Sequence, residues 1–241
     1  MEGPSLHLLQ EELQLFVNKK IKDIYGNANF DKEPLLNQKI TDIYAFGKRL
    51  FIQLDDVALI IHFLMYGSYR IDTSRPEMQP RLAIITAQHS FFLYNCSVKC
   101  VQESNIKQYI PLAWDILSPD WNVKTIVKAM QRHPNETIDD VLLDQNIFPG
   151  VGNIIKNEVL LLSKTSPHKR IAELTPKQLR LIALHAREFS QHFLQWRKVF
   201  ELKKNLQIYR KKICPLCGGP IIRAKTGKRQ RWTFYCPHCQ R

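Results

Sequence analysis

Four of the six cysteines in this 241-residue chain, Cys214, Cys217, Cys236 and Cys239, fall in one 26-residue block, "CPLCGGPIIRAKTGKRQRWTFYCPHC". They form two Cys-x-x-Cys knuckles separated by 18 residues. A disulfide framework spreads its cysteines along the chain. Two knuckles about a hairpin-length insert instead bring four thiolates to one tetrahedral ion, and one structural Zn²⁺ is expected. Residues 210–241 hold nine Lys or Arg and no Asp or Glu, so with a −2 centre the block stays near +7. That density, with "KTGKRQR" at the hairpin tip, favours phosphate contact over a merely solvated charge run. His238, inside the second knuckle, reads as a bystander. Cys96 and Cys100, in "LYNCSVKC", lack a matching pair and read as buried, inert thiols rather than a redox couple.

A second stretch with chemical content is "FPGVGNIIKNE". Pro149, Gly150 and Gly152 force a tight turn into a helix with Asn153 at its cap. Backbone N–H groups then point outward beside the positive end of the helix dipole, which makes a phosphate site. The plain alternative is a turn between two helices. The third stretch is the start, "MEGPSLHLLQEEL", where Glu2-Gly3-Pro4 sits between Met1 and an apolar stripe of Leu6, Leu9, Leu13 and Phe16. Termini tolerate change, so an early helix start is its bland reading.

The elements that must carry these residues change character along the chain. From Lys39 to Cys100 the sequence is β-rich, with "RLFIQL", "VALIIHFLMYGSYRI", "RLAIITA" and "SFFLYNC" parted by turn residues, which predicts a sandwich. "SNIKQYIPLAWDILSPDW" reads as a link. Beyond it "ETIDDVLLDQNIF", "NIIKNEVLLLSK" and "TPKQLRLIALHAREFSQHFLQWRKVF" are helical, the last with Thr175 as N-cap and Pro176 at the first helical position. The fold class expected is α+β: a β-sandwich domain flanked by helices over 1–112, a helical domain over 113–208 and a cysteine hairpin over 209–241. No internal repeat is present.

A formal charge of +13 calls for an anionic partner, nucleic acid ahead of a membrane surface. No apolar run approaches the ~18 residues of a membrane span, and no secretory signal opens the chain, so a soluble intracellular protein is expected.

The three stretches, taken in the order the chain carries them from residue 2 to residue 241, resemble the formamidopyrimidine-DNA glycosylase and endonuclease VIII family. "LLDQNIFPGVGNIIKNEVLLLSKTSP" resembles its helix-two-turn-helix, "LQIYRKKICPLCGGPI" and "RWTFYCPHCQ" its zinc finger, "EGPSL" its N-terminus and "FGKRLF" its Gly-Lys strand. The resemblance implies a base-excision-repair glycosylase with abasic-site lyase chemistry, acting on damaged DNA through an N-terminal amine that forms an imine with the sugar. By position, Glu2 matches the glutamate that handles protons at the sugar and Lys48 the phosphate-contacting lysine. Asn153 and Arg231 match the pair that grips the kinked backbone. Leu64, Met65 and Tyr66 match the loop that fills the void left by a flipped nucleotide. Without the resemblance that triplet reads as a strand end.

The chain departs from the family where the N-terminal proline should stand. Glu2 directly follows Met1, whose retained primary amine, with a reference pKa near 8, takes the proline's place, with Lys48 as a second candidate amine. The opposing-base pair and the long lesion loop of the formamidopyrimidine branch are also missing, which leans toward the endonuclease VIII branch, oxidised pyrimidines and abasic sites. The alternatives are a binder of damaged or kinked DNA without the lyase step, a glycosylase that hydrolyses without covalent catalysis, and a zinc-ribbon RNA-binding protein. A monomer is expected, because DNA would occupy the basic surface.

Overall fold

Leu6, Leu9, Leu13 and Phe16 are all fully buried, on α1 (Gly3–Leu13) and the 3-10 turn that follows it, Gln14–Phe16. The computed structural model describes residues 1–110 and 114–241, and the chain divides into two compact units. The first comprises Met1 and Ser5–Ile110, the second Glu2–Pro4 and Pro111–Arg241. The boundary expected between residues 112 and 113 lies outside the described residues.

The first unit is built on six strands: β1 (Asp23–Tyr25), β2 (Asp42–Phe46), β3 (Arg49–Gln53), β4 (Val57–Ile71), β5 (Leu82–Ile85) and β6 (Ser90–Gln102). They form one antiparallel network in the order β1-β5-β6-β4-β3-β2. The two long strands, β4 and β6, pair along most of their length, with a register break between Phe63 and Ser68. On one side of the break β3 pairs with β4; on the other β5 pairs with β6. Leu50, Leu59 and Ile61 from one half and Leu82, Ile84 and Phe91 from the other share a single buried cluster with the α1 stripe. The sandwich is thus a single hydrogen-bonded sheet whose halves close on one core. The expected link after β6 begins instead as a 3-10 segment, Glu103–Tyr109, whose Ile106 packs with Phe51, Ala58 and Ile60 in a separate buried cluster.

The second unit contains α2 (Val123–Gln131), α3 (Ile138–Leu142), α4 (Asn153–Leu162), α5 (Pro176–Lys198) and α6 (Leu202–Asn205), followed by the hairpin of β7 (Ile222–Thr226) and β8 (Arg231–Tyr235). Thr175 caps α5 through a capping box with Gln178. The helix expected over "ETIDDVLLDQNIF" ends early, at Leu142. Beyond it side chains take over backbone partners: Asp144 accepts the Asn146 N–H, and Gln145 accepts the Gly150 N–H while donating to the Leu143 and Val151 carbonyls. Such local bonds compete directly with a helical ladder. Among the described residues no helix is long and apolar enough to cross a membrane.

Candidate functional site

Gly150, at φ 100, makes the turn that only glycine adopts without strain, and its carbonyl accepts the Gly3 N–H at 2.8 Å. That bond sets Glu2 at the start of α4. One Glu2 carboxylate oxygen accepts the Ile154 N–H at 2.6 Å and the other the Ile155 N–H at 3.3 Å. Gly152 is the N-cap, at φ −122, and a Cβ there would lie 2.5 Å from the Glu2 carboxyl carbon. Glycine is needed here for space rather than for conformation. Two expectations are corrected. Asn153 is the first helical residue and not the cap, and its side chain donates to the Trp232 carbonyl at 2.8 Å. At the helix N-terminus expected to take phosphate, the amides of Ile154 and Ile155 instead hold a carboxylate of the chain itself, the anion such a terminus favours. Gln145, which braces the turn, was missed. Its signal was a lone amide five residues ahead of a glycine.

α4 carries a second set of polar residues that the sequence reading also missed, and they fasten the hairpin. Lys156 and Asp139 are both fully buried, 2.6 Å apart, and both bond Thr233 of β8. Burial pulls the Lys156 ammonium below its ordinary value, opposed by Asp139. Asn157 accepts the Phe234 N–H at 2.6 Å. Glu158 accepts the N–H groups of Gln207, Ile208 and Tyr209, and burial raises its carboxyl despite those three bonds. The tip of the hairpin is held too, because Asp140 accepts the amides of Lys228 and Arg229. The backbone of "KTGKRQR" therefore faces an acid, while the side chains of Lys225, Arg229 and Arg231 stay exposed. These bonds place Asn153 and Arg231, 78 positions apart in sequence, on adjoining structure, since Asn153 bonds the residue next to Arg231.

In the first unit Lys48 is in a turn rather than a strand. Phe46 pairs with Arg49, leaving Gly47 and Lys48 as a two-residue hairpin loop, with Gly47 at φ 58. The Lys48 carbonyl lies 2.9 Å from Nδ1 of His62. A carbonyl only accepts, so Nδ1 carries the proton and Nε2 is left as the acceptor. Burial lowers the His62 pKa, the Lys48 hydrogen bond opposes this, and the charges of the Met1 amine, Arg49 and Lys48 lower it further. Met1 and Lys48 thus lie within electrostatic reach of a neutral imidazole. His62 was not singled out in the sequence, where it is one polar residue in an apolar strand.

Leu64, Met65 and Tyr66 occupy the β4 register break, where Leu64–Gly67 stand opposite Asn95 alone. They are 48%, 58% and 88% exposed, and Tyr66 adopts φ 62. A strand end is excluded: the triplet is a protruding bulge inside a long strand. Asn95 donates to the Met65 carbonyl, and Gly67 is required because a Cβ would meet the Asn95 carbonyl oxygen at 2.7 Å. Cys96 is buried with its thiol pushed up to about 12 by desolvation, as an inert core thiol should be.

The four knuckle cysteines converge, with Sγ atoms all within 4.8 Å of one another, Cys217 and Cys236 3.5 Å apart and Cys214 and Cys239 3.8 Å apart. Four sulfurs about 2.3 Å from a central ion stand roughly 3.8 Å apart, so the cluster suits a tetrahedral thiolate-binding metal. A divalent cation there would favour the thiolate form of all four.

Residues 3–97 match the formamidopyrimidine-DNA glycosylase N-terminal domain and residues 112–197 the formamidopyrimidine-DNA glycosylase H2TH domain. The chain belongs to the formamidopyrimidine-DNA glycosylase and endonuclease VIII family. It is 32% identical to endonuclease 8-like 3 of Mus musculus over 206 residues, covering 83% of this chain but 34% of that protein. The chain therefore spans about a third of that relative's length. It is 27% identical to the formamidopyrimidine-DNA glycosylase of Ligilactobacillus salivarius, covering 99% of this chain and 98% of that protein. The crystal structure of the Lactococcus lactis formamidopyrimidine-DNA glycosylase, bound non-covalently to DNA containing an abasic site, matches with a TM-score of 0.90. At 24% identity, over 100% of both chains, this likeness establishes the fold.

Proposed function

We propose that the chain is a base-excision-repair DNA glycosylase that acts on oxidised bases, pyrimidines favoured, and on abasic sites. The observation that carries this is Glu2, a carboxylate braced by two helix amides directly behind the chain's first residue. A binding module has no need of a carboxylate that would face an anionic ligand. In this reading the α-amine of Met1 attacks the anomeric carbon of the flipped nucleotide. The N–C1′ bond forms as the base–C1′ bond breaks, and the base takes up a proton from water. The C1′–O4′ bond then opens with Glu2 delivering a proton to O4′, and loss of the amine's protons leaves the imine. Lys48, Asn153 and Arg231 take phosphates near the lesion, and the exposed Leu64, Met65 and Tyr66 fill the emptied stack. Gly150 and Gly152 shape the turn that presents Glu2. Cys214, Cys217, Cys236 and Cys239 hold one structural Zn²⁺, and the protein works as an intracellular monomer on damaged DNA.

The experiment is to incubate the protein with abasic-site and oxidised-pyrimidine duplexes under borohydride and identify any cross-linked residue by mass spectrometry. A cross-link at Met1 is expected. One at Lys48 would move the amine role there, and base release without trapping would indicate hydrolysis. Binding with neither would sink the enzyme reading in favour of the second, a non-lyase binder of damaged or kinked DNA. The feature favouring that second reading is methionine where the family's proline stands.

A further inference from the structure

The β7–β8 register sets Lys225 opposite Trp232 and Arg223 opposite Phe234, so Arg223, Lys225 and Trp232 leave one face of the hairpin. The Arg223 guanidinium carbon is 4.0 Å from the centre of a Trp232 ring and the Lys225 ammonium 5.6 Å. Trp232 nonetheless remains 43% exposed. The opposite face holds the buried pair Thr226 and Thr233, and Thr233 bonds Lys156 and Asp139. One face of the hairpin is thus anchored inward at Thr226 and Thr233; the other buries Phe234 at its knuckle end and, next to it, presents an indole dressed by two cations. Its position is fixed from below, because the Trp232 carbonyl accepts from Asn153. Its neighbour is Arg231.

A single exposed aromatic needs no explanation. Trp232 differs because both neighbours over its ring are cationic and residues 210–241 contain no acid, so the face is built for an anionic partner. A flat ring adds something that phosphate contact does not use, since it recognises another flat ring. The bases of an intact duplex already have their faces covered by stacking, whereas an unpaired base offers one.

We propose that Arg223, Lys225 and Trp232 form a stacking platform for an unpaired base of single-stranded nucleic acid, with the indole taking the base and the two cations the flanking phosphates. This rests on the reading of the hairpin as a DNA-binding element and adds a strand preference to it.

The test compares affinities of the zinc-loaded full chain for a fluorescein-labelled single-stranded oligonucleotide and for the perfect duplex of the same sequence. Trp232→Ala is expected to weaken single-strand binding about tenfold and duplex binding less than about threefold. Trp232→Phe should stay close to wild type. Trp232→Leu, which keeps apolar bulk over the hairpin without a flat ring, should behave as Trp232→Ala. Arg223→Gln and Lys225→Gln should each lower the single-strand salt slope by about 0.7. Equal losses on both substrates, or wild-type single-strand affinity in Trp232→Leu with zinc content and melting unchanged, would overturn the proposal. So would loss of binding to polyglutamate alone, which would mark the face as a protein contact. Strand-selective loss in a protein that releases no base from any lesion duplex would support the platform and remove only the glycosylase reading.

Discussion

At the scale of single residues, the proposed chemistry depends on how Glu2 is held. Its carboxylate bridges the amides of Ile154 and Ile155, and Gly152 leaves it room. Gly152→Ala separates fold from chemistry, because φ −122 suits any residue while the new methyl would occupy the space of the carboxylate. The melting temperature is expected to change by no more than Glu2→Gln changes it, and base release in single-turnover assays should fall by two orders of magnitude or more in both variants. A Gly152→Ala protein with full activity would show that Glu2 need not sit on α4. His62 supplies a pH signature. Its folded pKa lies below 6.5, chiefly through burial, so the unfolded chain takes up the proton first. Its contribution to stability is full above about 6.5 and is lost as pH falls from there through the folded pKa. Urea unfolding between about pH 5 and 8 should show that limb, and His62→Gln should flatten it.

At the scale of elements, α4 does more than bear the residues of a glycine turn. Lys156, Asn157 and Glu158 each tie down a separate piece of the cysteine hairpin or the segment leading to it. The buried Lys156–Asp139 pair is the sharpest test. Lys156→Met strands a carboxylate in the interior and is expected to cost about 3–5 kcal/mol, whereas Lys156→Met with Asp139→Leu should regain most of that. Equilibrium denaturation of the two single variants and the double variant, read as a double-mutant cycle, checks it. "NIIKNEVLLLSK" showed a helix but not this division of labour, since partners such as Asp139 and Thr233 are 94 positions apart.

For the whole molecule, the test concerns charge together with the metal proposed for the cysteine cluster. A formal charge of +13 makes any nucleic-acid complex strongly salt-dependent. The hairpin that carries much of that charge has a small core of its own, with Phe234, Cys214 and Cys236 packed against Ile208 and Leu161. Removing the metal with a chelator should melt the hairpin while leaving the first unit folded, and should weaken DNA binding by at least tenfold. Unchanged affinity in metal-free protein would refute the structural role. Intact mass under native conditions, circular dichroism and anisotropy titrations measure the three effects.

Local rules were enough for much of this protein. The α1 stripe, the Thr175 cap, the strand series and the knuckle spacing are short-range patterns, legible because periodicity and turn chemistry act over a few residues. The cysteine cluster followed from spacing alone. What the tertiary structure decided was which long-range partner each polar group found: Glu2 on the amides of Ile154 and Ile155, Lys48 in a turn against His62, and Asn153 on Trp232. The same held for the triplet of Leu64, Met65 and Tyr66, which reads as strand in sequence and becomes a bulge only because β6 offers Asn95 alone opposite four residues. A buried donor or acceptor must be satisfied, and the group that satisfies it is chosen by packing across the chain, which no local pattern encodes.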